Sequence, residues 1–210
     1  MVSDTIRFDH QLIGKIIHEG ARVIDLGCGE GDLIFHLANV KNAVVQGIEL
    51  DESAIYKCVE KGLSVLHGDL DNGLNGFPDK VFDYVILNQS LQQVRKVEYV
   101  IEETFRIGAK VIIGFPNFAH LESRAKLFFA GKVPVTGSLP GQWYETPNLR
   151  FLSIKDFKEF CRDREINIEQ AYYLGKSNTV GFLPNLFAQN AIFVLSKTNR
   201  RVIPQTLLNE

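Results

Sequence analysis

From residue 22 onward, short and nearly continuous apolar runs alternate with stretches in which apolar residues recur at helical spacing. That alternation is the sequence signal for a parallel sheet with helices on both faces. Runs at 22–26, 44–50, 64–67, 84–87 and 110–115 predict five strands, each apolar along its length as a strand covered on both faces should be. Helical spacing predicts helices over 9–19, 32–39, 52–61, 97–106 and 154–164, the last opening on Ser153 with Asp156 three residues on, the pattern of a capping box. Two later runs, 166–174 and 191–196, flank a stretch containing Gly, Pro and Asn, and they predict an antiparallel hairpin at one edge. Within that stretch, Phe182-Leu183-Pro184-Asn185-Leu186-Phe187 either closes the sheet edge or, if exposed, offers a patch for a partner. The expected fold is a doubly wound, Rossmann-like α/β sheet of seven mostly parallel strands.

Residues 117–152 do not fit the alternation. They follow the fifth strand and are rich in Gly, Pro and aromatics. In a doubly wound sheet such an insertion lies over the carboxyl ends of the strands, where ligands bind. It is therefore expected to be a lid or substrate-side insertion within a single domain covering 1–210, a length that buries a substantial core without disulfides or metal.

Composition narrows the class. No apolar run approaches the roughly 20 residues of a membrane-spanning helix, and the N-terminus lacks a basic region leading into an apolar stretch, so a soluble, cytoplasmic protein is expected. Cys28, Cys58 and Cys161 stand far apart in no spacing that forms a zinc site or disulfide framework, and no metal is expected. The 23 basic and 25 acidic residues nearly balance, which argues against nucleic acid as the main partner; Arg200 and Arg201 read as a solvated end.

The candidate chemistry sits in Asp25-Leu26-Gly27-Cys28-Gly29-Glu30-Gly31-Asp32, where glycines allow a tight strand-to-helix turn and close approach of a ligand. A dinucleotide fingerprint has GxGxxG spacing and offers helix amides to a pyrophosphate; here the spacing is GxGxG and three acids crowd the turn. An acidic cradle suits a ligand carrying an ammonium and a sulfonium, as S-adenosylmethionine does, better than a phosphate. Cys28 within the turn reads as a small packing residue. About 20 residues beyond the glycines, Glu49 ends the second strand where a ribose-gripping acid is expected, its carboxylate suited to accept from both hydroxyls. Asp51 and Glu52 read as the start of the next helix.

These features, with Gly68-Asp69-Leu70 after the third strand and Phe82-Asp83-Tyr84-Val85-Ile86-Leu87-Asn88 around the fourth, resemble the ordered motifs of class I methyltransferases. The resemblance implies that Asp25 and Gly27 hold the methionine part of S-adenosylmethionine, Glu49 the ribose, and Asp69 with the backbone of Leu70 the adenine. Cys28, Gly29, Leu50 and Asn88 adjoin these positions and complete the expected lining. It sharpens in Gly68-Asp69-Leu70-Asp71-Asn72-Gly73-Leu74, Asn88-Gln89-Ser90-Leu91-Gln92, Phe115-Pro116-Asn117-Phe118-Ala119-His120 and Trp143-Tyr144-Glu145-Thr146-Pro147-Asn148, which together resemble the methionine biosynthesis protein MetW family. Departures from that pattern at Leu121, Gly141, Glu145 and Arg150 all fall within 117–152. The family implies a role in methionine synthesis alongside a homoserine O-acyltransferase.

Methyl transfer can proceed largely by positioning, so a base is not obligatory. His120 follows the fifth strand and is a candidate general base, with a loop histidine bonded to backbone as the plainer reading. Tyr144 is a candidate for orienting a substrate, although Trp143 and Tyr144 read equally as anchors for the lid. Asn88-Gln89 is followed by Ser90-Leu91-Gln92 and not by the Pro-Pro-aromatic run of amino-group methyltransferases. The expectation is a methyltransferase acting on a small molecule, with S-adenosylhomocysteine as product. The alternative is a non-catalytic S-adenosylmethionine sensor that adjusts the acyltransferase.

Overall fold

A computed structural model describes residues 6–197, so Arg200 and Arg201 lie outside the described residues. Helix α1 (Phe8–Ile16) leads into strand β1 (Arg22–Leu26), followed by α2 (Asp32–Lys41), β2 (Val44–Glu49), α3 (Glu52–Glu60) and β3 (Val65–His67). Then come β4 (Phe82–Asn88), α4 (Val97–Ile107), β5 (Gly108–Pro116), α5 (Leu121–Ala130), α6 (Ile154–Asp163), β6 (Ile166–Leu174), the single turn α7 (Pro184–Phe187) and β7 (Asn190–Lys197). The seven strands form one sheet in the order β3-β2-β1-β4-β5-β7-β6. β1 to β5 run parallel, and β7 lies antiparallel between β5 and β6. Strand order reverses between β1 and β4, so a crevice opens at their carboxyl ends.

The strands β1, β4, β5 and β7 are buried on both faces, as their apolar runs foretell. One layer packs Ile24, Leu87, Phe105, Phe115, Phe157 and Phe193, and the opposite layer Ile13, Val23, Leu37, Ile86 and Ile112. The expectation of full burial fails for β3, whose three residues are half-buried to exposed because it forms the sheet edge. At the start of α6, Ser153 accepts from the Asp156 amide at 3.2 Å while the Asp156 carboxylate accepts from the Ser153 amide at 2.9 Å, completing the capping box.

Residues 117–152 form a tied excursion. The Phe118 amide donates to the Leu152 carbonyl at 3.1 Å, and the Phe118 and Phe151 rings lie 4.8 Å apart. Inside it runs α5, a helix the sequence pattern does not announce. Its apolar side chains are not arranged against a core: Phe128 and Phe129 are 83% and 84% exposed, and of its ten residues only Ser123 is buried. The segment 182–187 does not seal the edge, since Phe182 is 73% exposed and stacks on Phe187 in a turn of helix. Among the described residues, no helix is long and apolar enough to cross a membrane.

Candidate functional site

The turn after β1 is lashed to β2. The Gly27 and Cys28 amides both donate to the Ile48 carbonyl, at 2.8 and 3.1 Å. Gly27 has φ +77°, and a Cβ there would stand 2.7 Å from the Cβ of Ser90. Ser90 is itself fixed, its hydroxyl donating to the Leu26 carbonyl at 2.6 Å. Gly29, at φ +54°, differs: a Cβ would meet nothing within 4 Å, so its outer side is open to a ligand. Cys28 packs inward against Cys58 and Ile34, and burial pushes its thiol far above the ordinary range, consistent with a packing role.

Glu49 braces this turn from the end of β2. Its Oε2 accepts from the Gly29 amide at 2.7 Å, and its Oε1 from the Leu50 and Asp51 amides at 2.8 and 3.0 Å. A carboxylate has about four lone-pair directions. With three amides already bound, Glu49 can take roughly one more donor without displacing an amide, which tempers the expectation that it grips two hydroxyls. Asp51 caps α3 by accepting from the Ser53 amide at 2.8 Å, as its position before the helix foretells.

Two cavities flank the turn and share Gly27, Gly29 and Gln89. The larger, about 620 Å³, is lined by Glu49, Leu50, Gly68, Asp69, Leu70 and Val94, among others. The smaller, about 290 Å³, is lined by Arg7, His10, Asp25, Cys28, Asn88 and their neighbours. Together they span the size range of sites for small ligands and cofactors. Every residue expected to line a ligand therefore falls on one of these two cavities.

Asp25 is the electrostatic centre of the smaller one. It is 3% exposed, and its Oδ1 has no hydrogen-bond partner among the described residues. Burial, reinforced by the charge of Glu49, raises its carboxyl to about 7. The three acids of the turn do not act as one cradle. Glu30 pairs with Lys57 of α3 at 2.5 Å, and Asp32 pairs with Lys61 at the C-cap of α3, so both are compensated. Only Asp25 is left uncompensated toward the cavity.

Asn88, at the end of β4, donates to the Asp9 carboxylate at 3.0 Å, and Asp9 is paired with Arg7 at 2.6 Å. Through this chain α1 closes the smaller cavity, which brings Arg7 and His10 to its wall. At the other end Asp69 accepts from the Asp71 amide at 2.9 Å. Asp71 in turn accepts from the Arg95 amide at 3.0 Å and from the Lys96 amide at 2.6 Å, holding residues 91–96 beside the larger cavity.

The proposed catalytic pair stands apart from both cavities. His120 caps α5, its Nδ1 accepting from the Glu122 amide at 3.2 Å, and burial lowers its pKa. Tyr144 is 65% exposed and packs edge-on against Trp143, which is 70% exposed. With both rings mostly exposed, neither pins residues 117–152 onto the domain. Arg7, His10, Gln93 and Val94 also line the cavities, and no sequence motif marks them, whereas Gln89, Ser90 and Pro147 lie in motifs that carry the family resemblance. Gln89, directly after β4, is held in the left-handed region at φ +64°.

The strand order, the reversal beside β1 and the cleft over its turn are those of the class I methyltransferase fold. A solved S-adenosylmethionine-dependent methyltransferase from Thermotoga maritima, described as a possible histamine N-methyltransferase, superposes with TM-score 0.64 at 18% identity, covering 90% of this chain and 89% of that one. The cyclase SpnF superposes equally well, TM-score 0.64 at 18% identity, covering 90% of this chain and 80% of that one. The family model for the methionine biosynthesis protein MetW matches residues 7–195, and the chain belongs to that family. It is also 32% identical over 209 residues to the bifunctional methionine biosynthesis protein MetXA/MetW of Rhodopirellula baltica, covering 93% of this chain. The chain spans about a third of that relative, 34% of its length.

Proposed function

We propose that the cleft binds S-adenosylmethionine, with the methionine part in the smaller cavity, the ribose beside Glu49 and the adenine beside Asp69 and Leu70. The observation that carries this reading is the unpartnered, buried Asp25 oxygen at the smaller cavity. A buried carboxylate without a partner is costly, and a ligand ammonium supplies the missing donor and charge. Asn88, Cys28 and Gly29 support the methionine part through the wall they form, and Leu50 supports the ribose end. The group supplied by this ligand is an activated methyl, carried on a sulfonium.

The function that follows is methyl transfer to a small molecule within methionine biosynthesis. His120 and Tyr144 remain the candidates for handling the acceptor, and they can reach it only if residues 117–152 close over the cleft as a lid. Incubation with methyl-labelled donor and an extract of small metabolites tests this: label recovered in a small acceptor, and lost with Asp25→Asn, supports transfer. Label retained in the donor in every sample overturns it.

A second reading is favoured by the MetXA/MetW relative, whose name joins two methionine biosynthesis proteins in one chain. Here the protein binds S-adenosylmethionine without turnover and adjusts a homoserine O-acyltransferase. The SpnF likeness is relevant, because one fold supports chemistry other than methyl transfer. Acyltransferase activity assayed with and without this protein, each with and without S-adenosylmethionine, decides it. An activity unmoved in all four samples removes the reading.

A further inference from the structure

A third cavity, about 610 Å³, lies outside the methionine and adenosyl cavities, between the first turns of α4 and the length of α6. Its floor and walls are apolar: Leu91, Ile101 and Phe157 are 2–3% exposed, and Leu152 and Phe160 are partly buried against the same core. Two strips of chain divide it from the larger ligand cavity. In the first strip Gln93 and Val94 line the ligand cavity while Leu91 and Arg95 line the third; in the second Pro147 lines the ligand cavity while Arg150 and Leu152 line the third. The strips are stitched together by the Leu149 and Arg150 amides, which both donate to the Gln92 carbonyl, at 2.9 and 3.1 Å.

The charges at the mouth of this cavity are lopsided. Arg95, Lys96 and Arg150 face two acids, Glu98 and Asp156. Glu98 is paired with Arg164, while the Asp156 carboxylate, bound to the Ser153 amide and hydroxyl in the α6 capping box, keeps its charge, so three cations face one acid without a cationic partner. Two of the cations are held by neutral carbonyls: Arg150 donates through Nε to Val94 at 3.2 Å and through Nη2 to Arg95, and Lys96 donates to the Asp71 carbonyl at 3.1 Å. Among the described residues the Arg95 guanidinium has no hydrogen-bond or ion-pair partner. The site thus combines an apolar chamber with an excess of positive charge at its rim, where Arg95 is free to take an anionic partner. That is the complement of a molecule with an apolar body and one anionic end.

We propose that this cavity binds a small amphipathic carboxylate, its acyl or aryl body on Leu91, Ile101, Phe157 and Phe160 and its carboxylate at Arg95. The site is independent of the ligand assigned to the main cleft. The probe is octanoate, titrated calorimetrically into the full chain, with octanol as the uncharged control and with repeats in saturating S-adenosylhomocysteine. Expected are saturable one-to-one binding of octanoate at least tenfold tighter than of octanol, and retention of that binding in the presence of S-adenosylhomocysteine. Arg95→Gln, an exposed change, reduces octanoate to the octanol level, and Leu152→Trp, which fills the chamber, abolishes both, with circular dichroism checking that each variant is folded. The proposal is overturned if octanoate does not saturate or binds no better than octanol. It is likewise overturned by complete displacement with S-adenosylhomocysteine, or by binding that both variants leave unchanged.

Discussion

Asp25→Asn should strengthen the free protein and weaken its hold on ligand, two effects of opposite sign from one atom replaced. The carboxyl is 3% exposed, and its pKa stands at about 7 where 3.8 is usual, because burial and then the charge of Glu49 oppose ionisation. The folded protein therefore binds more protons at this site than the unfolded chain between about pH 4 and pH 7. Stability must fall as pH rises through that window, and the cost is complete above it. A carboxyl raised to about 7 destabilises the charged native state by about 4 kcal/mol above pH 7. Asparagine removes that cost but leaves a buried amide with incomplete hydrogen bonding, which returns about 1–3 kcal/mol. The expected net gain is about 2 kcal/mol at pH 7.5, or a Tm about 4–8 °C higher for a domain of this size. At pH 5, where Asp25 is already protonated in the folded state, the gain shrinks to about zero. Binding moves the other way: losing a charge-assisted hydrogen bond of about 1.5–3 kcal/mol weakens S-adenosylhomocysteine roughly ten- to hundredfold. Thermal melts at the two pH values and calorimetry on the same samples supply both numbers. A lower Tm at pH 7.5 together with unchanged ligand affinity would mean that Asp25 neither opposes folding nor holds the ligand.

Three further outcomes follow from the same geometry. In the unaltered protein, affinity for S-adenosylhomocysteine should weaken about tenfold per unit as pH falls below 7, because protons compete with the ligand ammonium for Asp25, and the slope should vanish in Asp25→Asn when affinity is measured by calorimetry across pH 5.5–7.5. Gly27→Ala should cost several kcal/mol in urea unfolding, since it combines φ +77° with a contact of 2.7 Å to Ser90, whereas Gly29→Ala, at φ +54° with open space, should cost about 1–2 kcal/mol and obstruct ligand more than folding. Ser153→Ala should cost about 1 kcal/mol by the same assay, from loss of the α6 cap, and leave ligand affinity unchanged.

Much of this architecture was legible in the sequence because buried parallel strands and crossover helices impose separate periodicities, and their alternation fixes the fold class. The turn Gly27 to Gly31 and the acids Asp25, Glu49 and Asp69 were legible because short local geometry dictates those residue types. What escaped was created by tertiary structure. Helix α5 buries almost nothing, so no apolar stripe marks it. Arg7 and His10 reach the site through the contact of Asp9 with Asn88, across 79 residues of chain. The pairing of Glu30 with Lys57 and of Asp32 with Lys61 is likewise tertiary, and it changes the turn from a general acidic cradle into one isolated carboxylate. Composition shows the number of charges in a segment but not which are already neutralised.

Whether the cleft is shaped for a cationic adenosyl ligand is decided by calorimetric titration of ligand-free protein with S-adenosylmethionine, S-adenosylhomocysteine and NAD. One-to-one binding of both adenosyl compounds is expected, weakened at least tenfold by Asp25→Asn and by Glu49→Gln, with no saturable binding of NAD. Saturable binding of NAD, or adenosyl binding indifferent to both substitutions, would contradict it.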